Sequence, residues 1–228
     1  MNIKILASGS SGNCYLISDG KTTLLLDAGI PFKKIQEGCN FNTSSIAGCL
    51  ITHRHNDHTK SLSELIKRGF VTYSNKDVAE TFKNVVTAKI GVLYHIGTFS
   101  FRAFECQHDV ECYGYLIESQ ITGERLLYFT DTAYIKYKFS NINYIMAEAN
   151  YDIGIMAGNA KYGNIPYFVG DRVLQTHMSI DTLLNFLKAN DLRNVKEIYL
   201  LHLSNGNSNA AEFKRMVQKE TGAIVHVC

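Results

Sequence analysis

The chain has 228 residues, 46% of them hydrophobic, with two prolines and a formal net charge of +2. That length suits one domain, residues 1–228, with a sizeable core, and the composition excludes a disordered or low-complexity protein. The small positive charge admits an anionic substrate but is far from the basicity of a duplex-DNA coat. Residues 1–6 run straight into strand-like sequence with no signal-peptide core. No apolar run approaches the ~20 residues needed to span a bilayer. The six cysteines form no C-x-x-C pair, which reads as reduced core thiols of a cytoplasmic protein.

In chain order, residues 3–7, 14–18 and 22–28 read as short strands. They are separated by the turn signals Ser8-Gly9-Ser10-Ser11-Gly12-Asn13 and Asp19-Gly20. The glycine-serine stretch lacks the lysine and following helix of a phosphate-cradling P-loop, so a hairpin turn is expected. A helix is expected over 32–37. The apolar run 46–51 reads as a buried strand leading into Thr52-His53-Arg54-His55-Asn56-Asp57-His58-Thr59. A chain leaving a strand is extended and positions two apart share a side, so His53, His55 and Asp57 are expected to converge. His58 then opens a helix carrying Leu62, Leu65 and Ile66, with Asn56 or Asp57 as its cap. Nitrogen and oxygen donors this closely spaced suit a borderline metal such as zinc. The plain alternative, a polar loop rich in histidine, leaves packed imidazoles and carboxylates repelling one another.

Residues 71–74 read as a strand, 76–83 as an amphipathic helix, and 90–106 as paired strands ending at Gln107-His108-Asp109. Residues 112–118 and 125–129 form the next expected pair, turning at Thr122-Gly123 and ending at Thr130-Asp131-Thr132. Residues 143–147 are a strand ending at Glu148. Over 151–176 the periodicity fails, and glycines with Tyr151, Tyr162, Tyr167 and Phe168 predict a loop with a short helix at 171–174. Those aromatics are candidates to stack a base or to pack against a second copy of the chain. Helices over 179–189 and 210–220, and strands over 195–201 and 223–227, complete the chain. His53, His108, Asp131, Glu148 and His202 each follow an apolar strand-like run. Strand ends gathered at one sheet edge bring residues distant in sequence into one rigid site. Taken singly, His108 or His202 is more often an ordinary histidine at a strand end and Asp131 a turn or cap; their joint occurrence carries the reading.

The His-x-His-x-Asp-His pattern after a hydrophobic strand resembles the signature of the metallo-β-lactamase fold hydrolases. Loop 8–13 resembles the opening of their YycJ/WalJ-like branch, where it lies near the metal site. The resemblance covers nearly the whole chain and implies an α+β protein, a four-layer αββα sandwich. By position it implies that His53, His55 and His108 hold a first metal and Asp57, His58 and His202 a second, with Asp131 bridging. Two divalent ions ~3.5–4 Å apart activate water and neutralise a phosphate, and mixed imidazole and carboxylate donors suit zinc or manganese.

The candidate catalytic residues are Asp57, His177 and Glu148. His177, in Gln175-Thr176-His177-Met178-Ser179, resembles a Gly-His-Leu-Ser or Gly-His-Ser segment of YycJ-like proteins and RNase Z, whose histidine protonates the leaving oxygen of a phosphodiester. Its plain reading is an exposed flank of a helix capped by Ser179. Glu148 is expected to orient that histidine or to support a metal ligand from behind, with a cap or surface position as the plain alternative. Arg172 and Lys161 are candidate phosphate contacts, with Arg172 preferred for its nearness to His177. The tract between Asp131 and His177 has no room for a β-CASP insertion, and no tRNA-gripping arm is visible. Both point to a nucleotide, a cyclic nucleotide or a single-strand end as substrate. The leading expectation is therefore a nuclease acting on single-stranded nucleic-acid ends. A phosphodiesterase of small cyclic nucleotides, as in phage anti-defence relatives, is the alternative, and a thioester hydrolase a further one. The resemblance also implies a homodimer.

Overall fold

Leu24, Leu25 and Leu26 are all fully buried, as in a strand covered on both faces. They belong to the first of two compact units in this computed structural model, Met1–Glu105 with Val110–Glu124; the second is Cys106–Asp109 with Arg125–Cys228. The structure describes residues 1–161 and 167–228, and side chains for all of these except 167–171.

In the first unit, β1 (Asn2–Ala7), β2 (Cys14–Ser18), β3 (Thr23–Leu26), β4 (Ile46–Leu50), β5 (Thr72–Ser74) and β6 (Val86–Thr87) make a six-stranded sheet in that order. Strands β1 to β3 run antiparallel through tight turns, and β3 to β6 run parallel. Helices α1 (Phe32–Gly38), α2 (Asn56–Thr59), α3 (Leu62–Lys67) and α4 (Lys76–Thr81) connect them, with Ile35, Leu62, Leu65 and Val78 in the same buried cluster as Leu25 and Cys49. Strands β7 (Tyr94–Ile96), β8 (Phe99–Cys106) and β9 (Cys112–Ser119) follow in the chain, with β7 antiparallel to β8.

In the second unit, β10 (Arg125–Phe129), β11 (Tyr144–Glu148), β12 (Glu197–Leu201) and β13 (Ile224–Val227) are adjacent and all parallel. Helices α5 (Ile153–Lys161), α6 (Tyr167–Thr176), α7 (Ile180–Lys188) and α8 (Ala210–Thr221) join them. Ser179 caps α7 through a bond from Thr182 N, and Leu183, Phe186 and Leu187 form its buried stripe. No helix among the described residues is long and apolar enough to cross a membrane.

Two expectations need correction. The extended chain after β4 persists only to His55, whose ψ is 147°; Asn56, Asp57 and His58 lie inside the helical turn α2, and His55 is its N-cap. Neither Asn56 nor Asp57 caps it, so the alternation that aligns His53 with His55 does not reach Asp57. The described residues between 151 and 176 are mostly helical rather than a loop. Asp152 starts α5, its Oδ1 accepting from Ile155 N and its carbonyl from Met156 N. Gly158 in α5 faces open space, so the helix sacrifices packing there rather than suffering a clash. The side chains of Tyr162, Tyr167 and Phe168, expected to stack a base, lie outside the described residues.

The β2–β3 turn shows how tightly the first unit is pinned. Asp19 accepts hydrogen bonds from Lys21 N, Thr22 N, Thr98 Oγ1 and Ser119 Oγ. Burial raises its pKa, but these donors outweigh that and lower it to about 2. A carboxylate depressed below its unfolded value of ~3.9 adds stability above that pH and loses it as pH falls through the folded value. Asp19→Asn is therefore expected to cost about 1 kcal/mol at neutral pH, after allowance for solvent screening, and almost nothing near pH 2. Urea midpoints of both proteins across that range check it.

Candidate metal centre

Each unit gathers ionisable side chains at the carboxyl ends of its parallel strands, where backbone groups and side chains are aimed outward from the sheet. In the first unit, β3 ends at Asp27 and β4 at Thr52 and His53. Asp27, Thr52, His53 and His58 are all fully buried. The Asp27 carboxylate accepts from Thr52 N at 2.8 Å, from Thr52 Oγ1 at 3.1 Å and from His58 Nδ1 at 2.8 Å.

These bonds decide the tautomers. A carboxylate only accepts, so the His58 proton sits on Nδ1 and its lone pair on Nε2. The Thr52 hydroxyl spends its proton on Asp27, so His53 Nδ1 donates to Thr52 Oγ1 at 3.1 Å and its lone pair also falls on Nε2. That Nε2 lies 3.0 Å from His55 Nδ1. His58 Nε2 lies 3.4 Å from Asp57 Oδ2, so two acceptors face each other. A cation bound to both resolves that opposition, and neutral imidazoles with their far nitrogens hydrogen-bonded are the form in which histidine ligates.

In the second unit, Asp131 follows β10, Glu148 ends β11 and His202 follows β12. Asp131, Glu148, His177 and His202 have donor atoms all within 4.8 Å of one another. His202 Nδ1 lies 3.1 Å from both Asp131 Oδ1 and Glu148 Oε1. Glu148 Oε1 also accepts from His177 Nδ1 at 2.6 Å, while Oε2 accepts from Thr132 N and Met178 N. Protein donors thus occupy both oxygens of Glu148, which suits a residue that holds the two histidines rather than an ion.

Burial opposes a charge on His202, but Asp131 and Glu148 outweigh it and push its pKa up to about 10. Burial likewise opposes charge on His177, and Glu148 outweighs it, raising the pKa above the usual imidazole value. For His108 burial wins over Asp131 and Asp109, and its pKa is lowered. His108 Nδ1 donates to Thr176 O at 3.1 Å, and its Nε2 lies 3.1 Å from Asp109 Oδ1. Arg172 is paired with Asp109 at 3.2 Å. Lys161 is an exposed residue at the end of α5.

Asp27, Asp131 and His202 share a further trait, with φ values of 54°, 50° and 53°. Left-handed backbone at a non-glycine residue costs about 1–3 kcal/mol and collects at functional sites. Asp27 too follows an apolar run, but the strand expected over 22–28 includes it, and neither Asn13 nor Thr52 carries a local sequence signal of its own. Asn13, in the glycine-serine loop, lies 3.0 Å from His58 Nε2. The donor set of both clusters, imidazole nitrogens with carboxylate oxygens, fits divalent metal ions.

Comparison with known proteins defines the class. The metallo-β-lactamase fold protein YhfI from Bacillus subtilis aligns over 99% of this chain and 95% of its own, with a TM-score of 0.76 at 14% identity. The chain has the metallo-β-lactamase fold. Along its length it is similar to two bacterial nucleases. It is 25% identical over 236 residues to exodeoxyribonuclease YycJ of Bacillus anthracis, covering 95% of this chain and 87% of that one. It is 26% identical over 228 residues to exodeoxyribonuclease WalJ of Streptococcus pneumoniae, covering 90% and 82%. Residues 6–79 match the family model of the Anti-Pycsar protein Apyc1.

Proposed function

We propose that the protein is a metal-dependent phosphodiesterase that works as a nuclease on single-stranded nucleic-acid ends and uses two divalent ions, zinc or manganese. The observation that carries this reading is the 2.6 Å pair between His177 and Glu148 beside Asp131 and His202. The thiolate expelled from a thioester leaves well without an acid of this kind, whereas a phosphodiester with an alkoxide leaving group requires one. Similarity to two exodeoxyribonucleases over most of the chain supports the polymeric substrate.

In this reading His53, His55 and His108 hold one ion, Asp57, His58 and His202 the other, and Asp131 is shared. Bound ions would supply a water activated at neutral pH and a counter-charge to the phosphate. The chain's own residues do the rest. Asp27 and Thr52 fix the tautomers of His53 and His58. Glu148 holds the proton of His177 on Nδ1 and raises the pKa of the ring, so that Nε2–H is available to the departing oxygen. Arg172 reaches a substrate phosphate by exchanging its carboxylate partner, Asp109, for it. The substrate is the one partner that this chemistry requires, and six thiols without a disulfide suit a cytoplasmic setting.

The test is hydrolysis of bis-p-nitrophenyl phosphate by chelated and by Mn²⁺- or Zn²⁺-reloaded protein, followed by a 5′-labelled single-stranded oligonucleotide beside cyclic mononucleotides. Metal-restored activity and stepwise shortening of the oligonucleotide are expected. Activity indifferent to chelation, or confined to thioesters, would remove the reading, and turnover of cyclic nucleotides alone would replace the polymer with a small substrate.

A further inference from the structure

The glycine-serine loop between β1 and β2 is built onto the metal-binding stretch. A Cβ on Gly29 would sit 1.6 Å from Asp57 O, and one on Gly12 2.5 Å from Gly29 O. With no side chain at either place, Asn13 N reaches Asp57 O at 2.8 Å and Gly29 N reaches Asn13 O at 2.9 Å. The Asn13 side chain is fully buried and every polar atom on it is assigned. Its Oδ1 accepts from Gly9 N and from the Tyr15 hydroxyl, each at 3.0 Å. That sets the amide orientation, so Nδ2 donates one proton to Gly9 O at 3.1 Å and the other to His58 Nε2 at 3.0 Å.

The last of these bonds is in conflict with the proposed function. His58 Nε2 carries the lone pair that an ion would take, and once it is taken one Asn13 N–H loses its acceptor. A buried donor left without an acceptor is costly. The amide cannot withdraw, because Gly9 and Tyr15 hold its other atoms. A phosphoryl oxygen held on the ion is an acceptor placed to replace His58 Nε2.

We propose that Asn13 is an anion-directed donor whose amide, held beside His58 Nε2, hydrogen-bonds a phosphoryl oxygen of the substrate when metal is bound. This rests on the metal-dependent phosphodiesterase reading. It gives the glycine-serine loop a role in holding phosphate through one side-chain amide rather than through a P-loop lysine. It also selects for an anionic tetrahedral group, since a bare carbonyl offers the donor a weaker partner.

The experiment is calorimetric titration of inorganic phosphate into Mn²⁺-loaded protein, with metal content measured in parallel. Asn13→Ala is expected to bind phosphate about 10–100-fold more weakly with metal content unchanged. Tyr15→Phe keeps the amide but removes one of the bonds that aim it, and should shift affinity in the same direction by less. Phosphate affinity equal to wild type in Asn13→Ala overturns the inference, as does a loss of metal in step with the loss of phosphate. If Asn13→Ala does not fold, Tyr15→Phe decides, and unchanged phosphate affinity overturns it. Wild-type protein that takes up no metal ends both this inference and the reading beneath it; wild type that loads metal and binds phosphate while the variants match it ends this one alone.

Discussion

His177→Ala is expected to keep its metal and to lose about 10²–10⁴ in turnover on alkyl phosphodiesters. The expected size follows from what the ring is held to do. Glu148 accepts a hydrogen bond from His177 Nδ1 at 2.6 Å and its charge raises the His177 pKa, so the ring carries a second proton on Nε2 over a range in which ordinary imidazole does not. An alkoxide leaves poorly unless protonated, while p-nitrophenolate leaves well without help. The variant should therefore lose far more on an oligonucleotide than on bis-p-nitrophenyl phosphate. That ratio separates proton donation from a structural role, which would depress both substrates alike. Glu148→Gln should reproduce part of the pattern and move the basic limb of the pH profile to lower pH, since an amide keeps the volume but not the charge that raises the His177 pKa. Equal losses on both esters would remove His177 from proton transfer.

The strand-end rule makes most of the candidate site legible in the sequence alone. His53, Asp131, Glu148 and His202 do stand at or just beyond the ends of β4, β10, β11 and β12, because a parallel sheet aims its carboxyl ends one way within each unit. What escaped did so for identifiable reasons. Asp27 obeys the same rule, but a lone acid after three leucines has no histidine beside it to mark it, and its partners Thr52 and His58 lie 25 and 31 positions away. Arg172 and Asp109 are 63 residues apart, and nothing in either local sequence encodes their pairing. The helices of 151–176 were hidden because glycines at 154 and 158 break the apolar repeat, while the start of α5 depends on one carboxylate, Asp152, outside that repeat. Alternation likewise mispositioned Asp57, since His55 ends the extended stretch and a helical turn begins.

Asp27 also carries the second large expectation, and two substitutions there should part company. Asp27→Ala removes the acceptor of three buried donors, Thr52 N, Thr52 Oγ1 and His58 Nδ1. Breaking a buried polar network of this kind costs about 3–5 kcal/mol. In a chain of this length each kcal/mol moves the melting temperature by about 2–4 °C, so a fall of roughly 10 °C or more is expected. Asp27→Asn preserves volume and can still accept from Thr52 through its remaining oxygen, so its melting temperature should fall much less. Yet the amide nitrogen then faces His58 Nδ1 and donates to it, which forces the histidine proton onto Nε2. The nitrogen proposed to ligate becomes a donor, and metal affinity should fall about 10–100-fold, the usual cost of altering a ligand's outer partner. A near-normal melting curve with weakened Mn²⁺ or Zn²⁺ binding in Asp27→Asn is the signature sought. Intact metal affinity in that variant would mean that His58 takes no direction from Asp27, whatever the stability of Asp27→Ala.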